Sequence, residues 1–165
     1  MKKIFGVIGY GRFGELWAKT LANLGEVLVF DNKVSLEKNI PEAVNGIRFV
    51  PLVEVAQTDI LFLAVPVADF EKLCQELSTQ LSLQTIVVDT CAVKVYPAKI
   101  MATTLPKTQP YAATHPLFGP DSVARLGLTG CKLVFCPLNL NSEQRIELLD
   151  LFNELKLTVI ETTPD

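Results

Sequence analysis

The sequence predicts an α/β fold: a doubly wound, mostly parallel sheet with helices on both faces. Three observations predict it. Apolar runs of strand length alternate with amphipathic stretches of helix length along the chain. Several of these runs, Val27-Leu28-Val29-Phe30 among them, are apolar throughout, as parallel strands covered on both faces must be. The first run leads into Gly9-Tyr10-Gly11-Arg12-Phe13-Gly14, a G-x-G-x-x-G turn between strand and helix, which makes the expected fold Rossmann-type.

Each element has its own signal. Lys3–Gly9 reads as a buried strand through Ile4, Phe5, Val7 and Ile8. Gly11–Leu24 reads as a helix with Phe13, Leu16, Trp17, Leu21 and Leu24 on one face, ended by Gly25. Glu26–Asp31 is the second strand, and the polar stretch Asn32–Asn45 reads as loop with a short helix. Ile47–Val50 is a short strand, Leu52–Ala56 one helical turn, and Ile60–Val65 a strand closed by Pro66. Val67–Leu81 carries Phe70, Leu73, Cys74, Leu77 and Leu81 at helical spacing. Thr85–Asp89 is a strand, Tyr96–Thr104 a helix with Pro97 in its first turn, and Tyr111–His115 a strand. Gly119, Pro120, Gly127 and Gly130 make Leu117–Gly130 read as loop. Lys132–Cys136 is a strand, and Leu157–Glu161 is the last one. Between them Asn141 opens a helix over Asn141–Leu155, with Gln144 at the spacing of a capping box.

The chain, 165 residues long, fits one domain over 1–165. A net charge of −3, with no block of Lys or Arg, argues against nucleic acid as a partner and leaves a small anionic substrate open. No apolar run approaches the ~20 residues that cross a bilayer. The start at Met1-Lys2-Lys3 lacks the apolar core of a signal peptide, so a cytoplasmic address is expected. Cys74, Cys91, Cys131 and Cys136 form no C-x-x-C pair and read as buried reduced thiols, Cys131 and Cys136 facing opposite ways from one strand. With one histidine and scattered cysteines, no metal site is expected.

In such sheets ligands bind beyond the carboxyl ends of the strands, which selects Gly9, Asp31, Val65, Asp89 and His115. Gly9 allows the tight turn, Gly11 the approach of a pyrophosphate to the backbone, and Gly14 close packing of helix on strand. Tyr10, Phe13 and their neighbours present N–H groups at a helix N-terminus, and Arg12 can add a charged hydrogen bond to phosphate. Asp31, with Asn32 and Lys33 after it, stands where a carboxylate accepts from ribose hydroxyls and repels a 2′-phosphate, so NAD is favoured over NADP. Ala64, Val65 and Pro66 let the backbone lie against the cofactor, and Thr90 and Cys91 end the fifth strand where the nicotinamide is expected. His115, in Thr114-His115-Pro116-Leu117-Phe118-Gly119-Pro120, is the one side chain here with an ordinary pKa near neutrality.

Gly9–Gly14, Asp31, Ala64-Val65-Pro66-Val67, Asp89-Thr90-Cys91-Ala92-Val93-Lys94 and Thr114–Pro120 occur in the order seen in prephenate and arogenate dehydrogenases, and the chain resembles the N-terminal nucleotide-binding domain of that family over nearly its whole length. The resemblance implies NAD-dependent oxidative decarboxylation of prephenate or arogenate in tyrosine biosynthesis. It makes His115 the catalytic group that takes a hydrogen bond or proton from the ring hydroxyl. Gly119 and Pro120 would shape the pocket floor, and Ser122 would offer a hydroxyl to substrate. Two departures stand out. Where the family reads Ser-Val-Lys, this chain has Ala92-Val93-Lys94, leaving Thr90, Cys91 or a water to replace the serine. The helical C-terminal domain that supplies the family's dimer contacts and a cation for the substrate carboxylate is not in these residues. That leaves a weaker homodimer, and Lys94, Lys99 and Arg125 as the nearest cations by sequence, each ordinarily a solvated surface charge. Two other readings stay open: an NAD-binding module of the same ancestry without chemistry of its own, and another NAD(P)-linked reductase such as an imine reductase.

Overall fold

The computed structural model describes residues 3–34 and 45–165. Part of the expected Asn32–Asn45 loop and its short helix, residues 35–44, therefore lies outside the described residues. Eight strands form one sheet: β1 (Ile4–Ile8), β2 (Glu26–Phe30), β3 (Ile47–Phe49), β4 (Ile60–Leu63), β5 (Ile86–Asp89), β6 (Tyr111–Pro116), β7 (Lys132–Asn139) and β8 (Thr158–Glu161). Their spatial order is β3-β2-β1-β4-β5-β6-β7-β8. Every neighbouring pair is parallel except β6 with β7.

The helices are α1 (Arg12–Leu21), α2 (Leu52–Val55), α3 (Val67–Leu77), α4 (Val95–Thr104), α5 (Pro120–Leu126) and α6 (Ser142–Glu154). They cover both faces because strand residues alternate. Ile60 and Phe62 of β4 join the core under α1 and α6, with Trp17, Leu21, Leu148 and Phe152. Leu61 and Leu63 join the opposite core under α2, α3 and α4, with Val55, Phe70, Leu77 and Met101. Cys136 lies in the second core and half-buried Cys131 packs on the first, so the two cysteines do face opposite ways.

Several boundaries differ from expectation. α3 stops at Leu77 because Gln80 and Leu81 both donate to the Leu77 carbonyl in a closing turn; Leu81 keeps its core contact without being helical. Gly25 follows α1 without a positive φ. Its role is close packing, since a Cβ there would lie 2.4 Å from the Lys3 carbonyl oxygen. β7 runs through Pro137 to Asn139, and its partner β8 has already ended opposite Phe135. The larger correction is α5, where loop was expected. Gly119 is its N-cap, Pro120 occupies the first turn where no N–H is needed, and Gly127 at φ +78 ends it. Residues that read as breakers are the two ends of a helix. Among the described residues no helix is long and apolar enough to cross a membrane.

At α6 the expected capping box is present: Asn141 Oδ1 accepts from the Gln144 N–H at 2.9 Å, and Gln144 Oε1 accepts from the Asn141 N–H at 2.9 Å. Asn141→Ala should lower stability by about 1 kcal/mol in chemical denaturation, with the m-value unchanged.

Candidate functional site

The carboxyl ends of β1, β2, β4 and β5 border one groove of about 960 Å3. Its lining contains every residue expected at the cofactor end: Gly9, Tyr10, Gly11, Arg12, Phe13, Gly14, Asp31, Asn32, Ala64, Val65, Pro66, Thr90 and Cys91, with Ala92 beside them. One face of α3 adds Asp69, Lys72, Leu73 and Glu76, which sequence reading did not assign to the site. The available signal was that α3 opens directly at Pro66, so its first turns must border whatever the end of β4 borders.

The three motif glycines differ in what holds them. Gly9 has φ +96, and a Cβ there would sit 2.4 Å from the Ala64 carbonyl oxygen. A Cβ on Gly14 would sit 1.9 Å from the Gly9 carbonyl oxygen, so α1 crosses β1 at backbone contact. Gly11 has φ −71, and among the described residues a Cβ there meets no atom within 4 Å. The fold itself therefore demands glycine at Gly9 and Gly14 and tolerates a side chain at Gly11. A need for glycine at Gly11 comes only from a ligand against the backbone, as the pyrophosphate of a dinucleotide would be.

Asp31 accepts from the Tyr10 N–H at 2.6 Å through one oxygen and from the Lys33 N–H at 2.8 Å through the other. It thus stabilises both turns that border the groove, and each oxygen keeps a lone pair for a ribose hydroxyl. Arg12 pairs with Asp121 of α5 at 2.6 Å, with both side chains largely exposed.

At the other end of the rim the expected substitutes for a serine are already engaged. Thr90 donates its hydroxyl to the Leu63 carbonyl at 2.9 Å. The Cys91 thiol faces the Val65 carbonyl, and burial, with the Asp89 carboxylate second, pushes its pKa up to about 12. Neither replaces the hydroxyl that Ala92 lacks. Ser122 is also committed: its hydroxyl donates to the Gly119 carbonyl at 2.9 Å and accepts the Gly119 N–H at 3.0 Å, closing the cap of α5. Its donor is spent in this cap, and one lone pair is left to accept a further hydrogen bond.

Lys94 overturns the ordinary expectation of a solvated surface charge. Its side chain is 9% exposed and its ammonium pairs with Asp89, whose side chain is 0% exposed. It also donates to the Thr114 carbonyl. Its ammonium is thus engaged within the protein, whereas Lys99 and Arg125 are solvated as expected. Burial pushes the Asp89 carboxyl above the usual range, against the pull of Lys94. His115 is half-buried on β6, with Val134 of β7 as its cross-strand partner. Burial lowers its pKa below the ordinary 6.5; the Lys94 charge lowers it further and Asp89 opposes both. His115, Gly119 and Pro120 lie outside the groove lining, on the same rim one strand farther along. Phe118 ties their segment to α1, with ring centroids 6.2 Å from Phe13 and 6.1 Å from Trp17.

The family model that matches is that of the prephenate dehydrogenase nucleotide-binding domain, over residues 32–161. Arogenate dehydrogenase 1, chloroplastic, of Arabidopsis thaliana is 26% identical over 142 residues, which cover 85% of this chain and 22% of that protein. The crystal structure of Synechocystis arogenate dehydrogenase superimposes with a TM-score of 0.79 at 22% identity, covering 98% of this chain and 60% of that one. Prephenate dehydrogenase from A. aeolicus, solved in complex with hydroxyphenyl propionate and NAD+, gives a TM-score of 0.77 at 22% identity, covering 99% of this chain and 61% of that one. At such identity these structures share the fold. The chain spans about a fifth of the length of the Arabidopsis relative.

Gly14→Ala should lose about 1–3 kcal/mol, because the backbone contact with Gly9 has to open. Gly11→Ala should melt like the wild type and bind a dinucleotide at least about tenfold more weakly, a loss of ~1.4 kcal/mol. Thermal melts and calorimetric titration separate the two.

Proposed function

We propose, from the premise that this chain belongs to the prephenate dehydrogenase family through its nucleotide-binding domain, that it binds NAD in the rim groove and brings His115 to the oxidative decarboxylation of prephenate or arogenate. The observation that carries the reading is the joint placement of the glycine turn, Asp31 and His115 on one rim of one sheet.

Hydride acceptance is the chemistry NAD supplies when bound. The N-terminus of α1 and Gly11 receive the pyrophosphate, and Asp31 receives the adenosine ribose. Asp31 also disfavours a 2′-phosphate by like charge. His115 takes a hydrogen bond or proton from the ring hydroxyl as the carbon bearing it loses hydride. The ring carboxylate leaves as carbon dioxide and returns its electron pair to the aromatising ring. A base must be neutral to do this, and burial together with Lys94 favours the neutral imidazole. The small anionic substrate, a homodimer and a cytoplasmic address belong to the same proposal, with the exposed Lys99 and Arg125 as the solvated cations near this end of the sheet.

The test is NADH formation with prephenate and with arogenate, together with calorimetric titration of NAD and NADP. Binding of neither dinucleotide sinks the reading. His115→Asn should remove about 10²–10⁴ of the turnover and leave NAD affinity unchanged. The sign of the pH dependence follows from the lowered imidazole pKa: activity falls as pH drops and the imidazolium forms, with a midpoint below that of an ordinary imidazole. Ala92→Ser, which restores the hydroxyl absent from the rim, should raise turnover by roughly tenfold, as ~1.4 kcal/mol from one positioning hydrogen bond would.

A further inference from the structure

Lys94 is a buried charge for which the proposed chemistry has no direct use. Asp89 and Ala113 are register partners on β5 and β6, so His115, two residues on, shares a sheet face with Asp89. Lys94 enters this corner from the start of α4. Its ammonium donates to Asp89 Oδ2 and to the Thr114 carbonyl. Asp89 Oδ1 accepts the Cys91 N–H at 2.7 Å, and the Thr114 hydroxyl donates to the Asp89 carbonyl at 2.7 Å. The carbonyl that Lys94 holds belongs to the peptide group that also contains the His115 nitrogen.

We propose that Lys94, braced by Asp89, is the positioning residue of His115: it fixes the peptide plane from which the imidazole leaves β6 and keeps a positive charge beside the ring. The inference rests on the reading of His115 as the proton acceptor. It assigns work to a lysine outside the groove lining. The charged and titratable groups around this corner are Asp89 on β5, Cys91 just after it, Lys94 before α4 and Cys136 on β7, with Asp121 and Arg125 on α5 farther along the chain. Burial holds the Cys136 thiol above its usual range and so neutral, while Asp121 and Arg125 are exposed to solvent. Lys94 and Asp89 therefore dominate the ring's electrostatics, with opposite signs.

The chain has one histidine, so its imidazole signals in NMR titrate without ambiguity. Lys94→Met should move the midpoint up by on the order of half a unit or more, and Lys94→Arg, which keeps the charge, should return it to the wild-type value. The acid limb of the turnover profile should move with it. A wild-type midpoint in folded Lys94→Met overturns the proposal. If that variant fails to fold, because Asp89 is left as an unpaired buried charge, Lys94→Met/Asp89→Asn removes both charges. There the midpoint should move less, and the His115 amide should exchange with solvent roughly tenfold faster as the Thr114 carbonyl loses its donor. Wild-type exchange in the double variant overturns the proposal equally. A chain that oxidises neither prephenate nor arogenate defeats the functional reading, and the titration and exchange still decide the role of Lys94. A chain whose turnover depends on His115 but whose imidazole ignores Lys94 defeats only the inference.

Discussion

The contact between α1 and the end of β1 is the constraint on which the rest depends. A Cβ on Gly14 would lie 1.9 Å from the Gly9 carbonyl oxygen, so the helix can sit where it does only as bare backbone. That approach puts Trp17 and Leu21 deep in the core and aims the first N–H groups of α1 over the rim. Trp17 meets Phe62 of β4 edge-on at 5.3 Å and Phe118 at 6.1 Å, so helix placement propagates both to the central strand and to the histidine segment. A helix pushed outward by one methyl group would disturb the groove and the aromatic cluster together, because close-packed interiors transmit such displacements.

A second constraint is electrical. Taking a carboxylate and an ammonium out of water is expensive, and their attraction offsets the expense only with good geometry and further hydrogen bonds. Asp89 and Lys94 have those bonds, to the Cys91 N–H and the Thr114 carbonyl. The raised Asp89 pKa says that burial still outweighs the stabilisation of its charge. Such a pair is a poor device for stability alone, since apolar residues of similar volume often serve as well or better. Its location, between the ends of β5 and β6 and beside the lone imidazole, is what distinguishes it.

Much of this was legible in the sequence. All eight strands were; in β1, β2, β4 and β5 the signal was strongest, because strands covered on both faces are apolar along nearly their whole length. The grouping of the glycine turn, Asp31 and the ends of β4 and β5 along one groove was legible because it is backbone geometry, and glycine spacing writes backbone geometry into the sequence. What failed were side-chain partnerships over long sequence separation. Lys94 read as a surface charge because nothing local announces that Thr114, twenty residues on, will present it with a carbonyl. Ser122 read as a substrate contact for a different, local reason: its hydroxyl closes the cap of α5 on Gly119, three residues back, and that helix was itself read as loop. That helix was hidden by its own ends, since Gly119-Pro120 marks a break or a start depending on what the following turn can pack against.

The two ends of the site are held together by unequal ties. Arg12 and Asp121 join α1 to α5 at 2.6 Å, but their side chains are 73% and 81% exposed, where such pairs contribute about 0–1 kcal/mol and weaken with salt. The aromatic contacts of Phe118 with Phe13 and Trp17 each contribute about 0.5–1.5 kcal/mol beyond the apolar area they bury, and salt does not screen them. The aromatic cluster therefore sets the separation of the glycine turn from the histidine segment. The ion pair is free to open without moving either. Arg12 lines the groove and stands at the first residue of α1, so opening this pair leaves its guanidinium at the groove. The fold thus fixes the separation of the glycine turn from the histidine segment through apolar packing, and leaves the Arg12–Asp121 charge pair exchangeable.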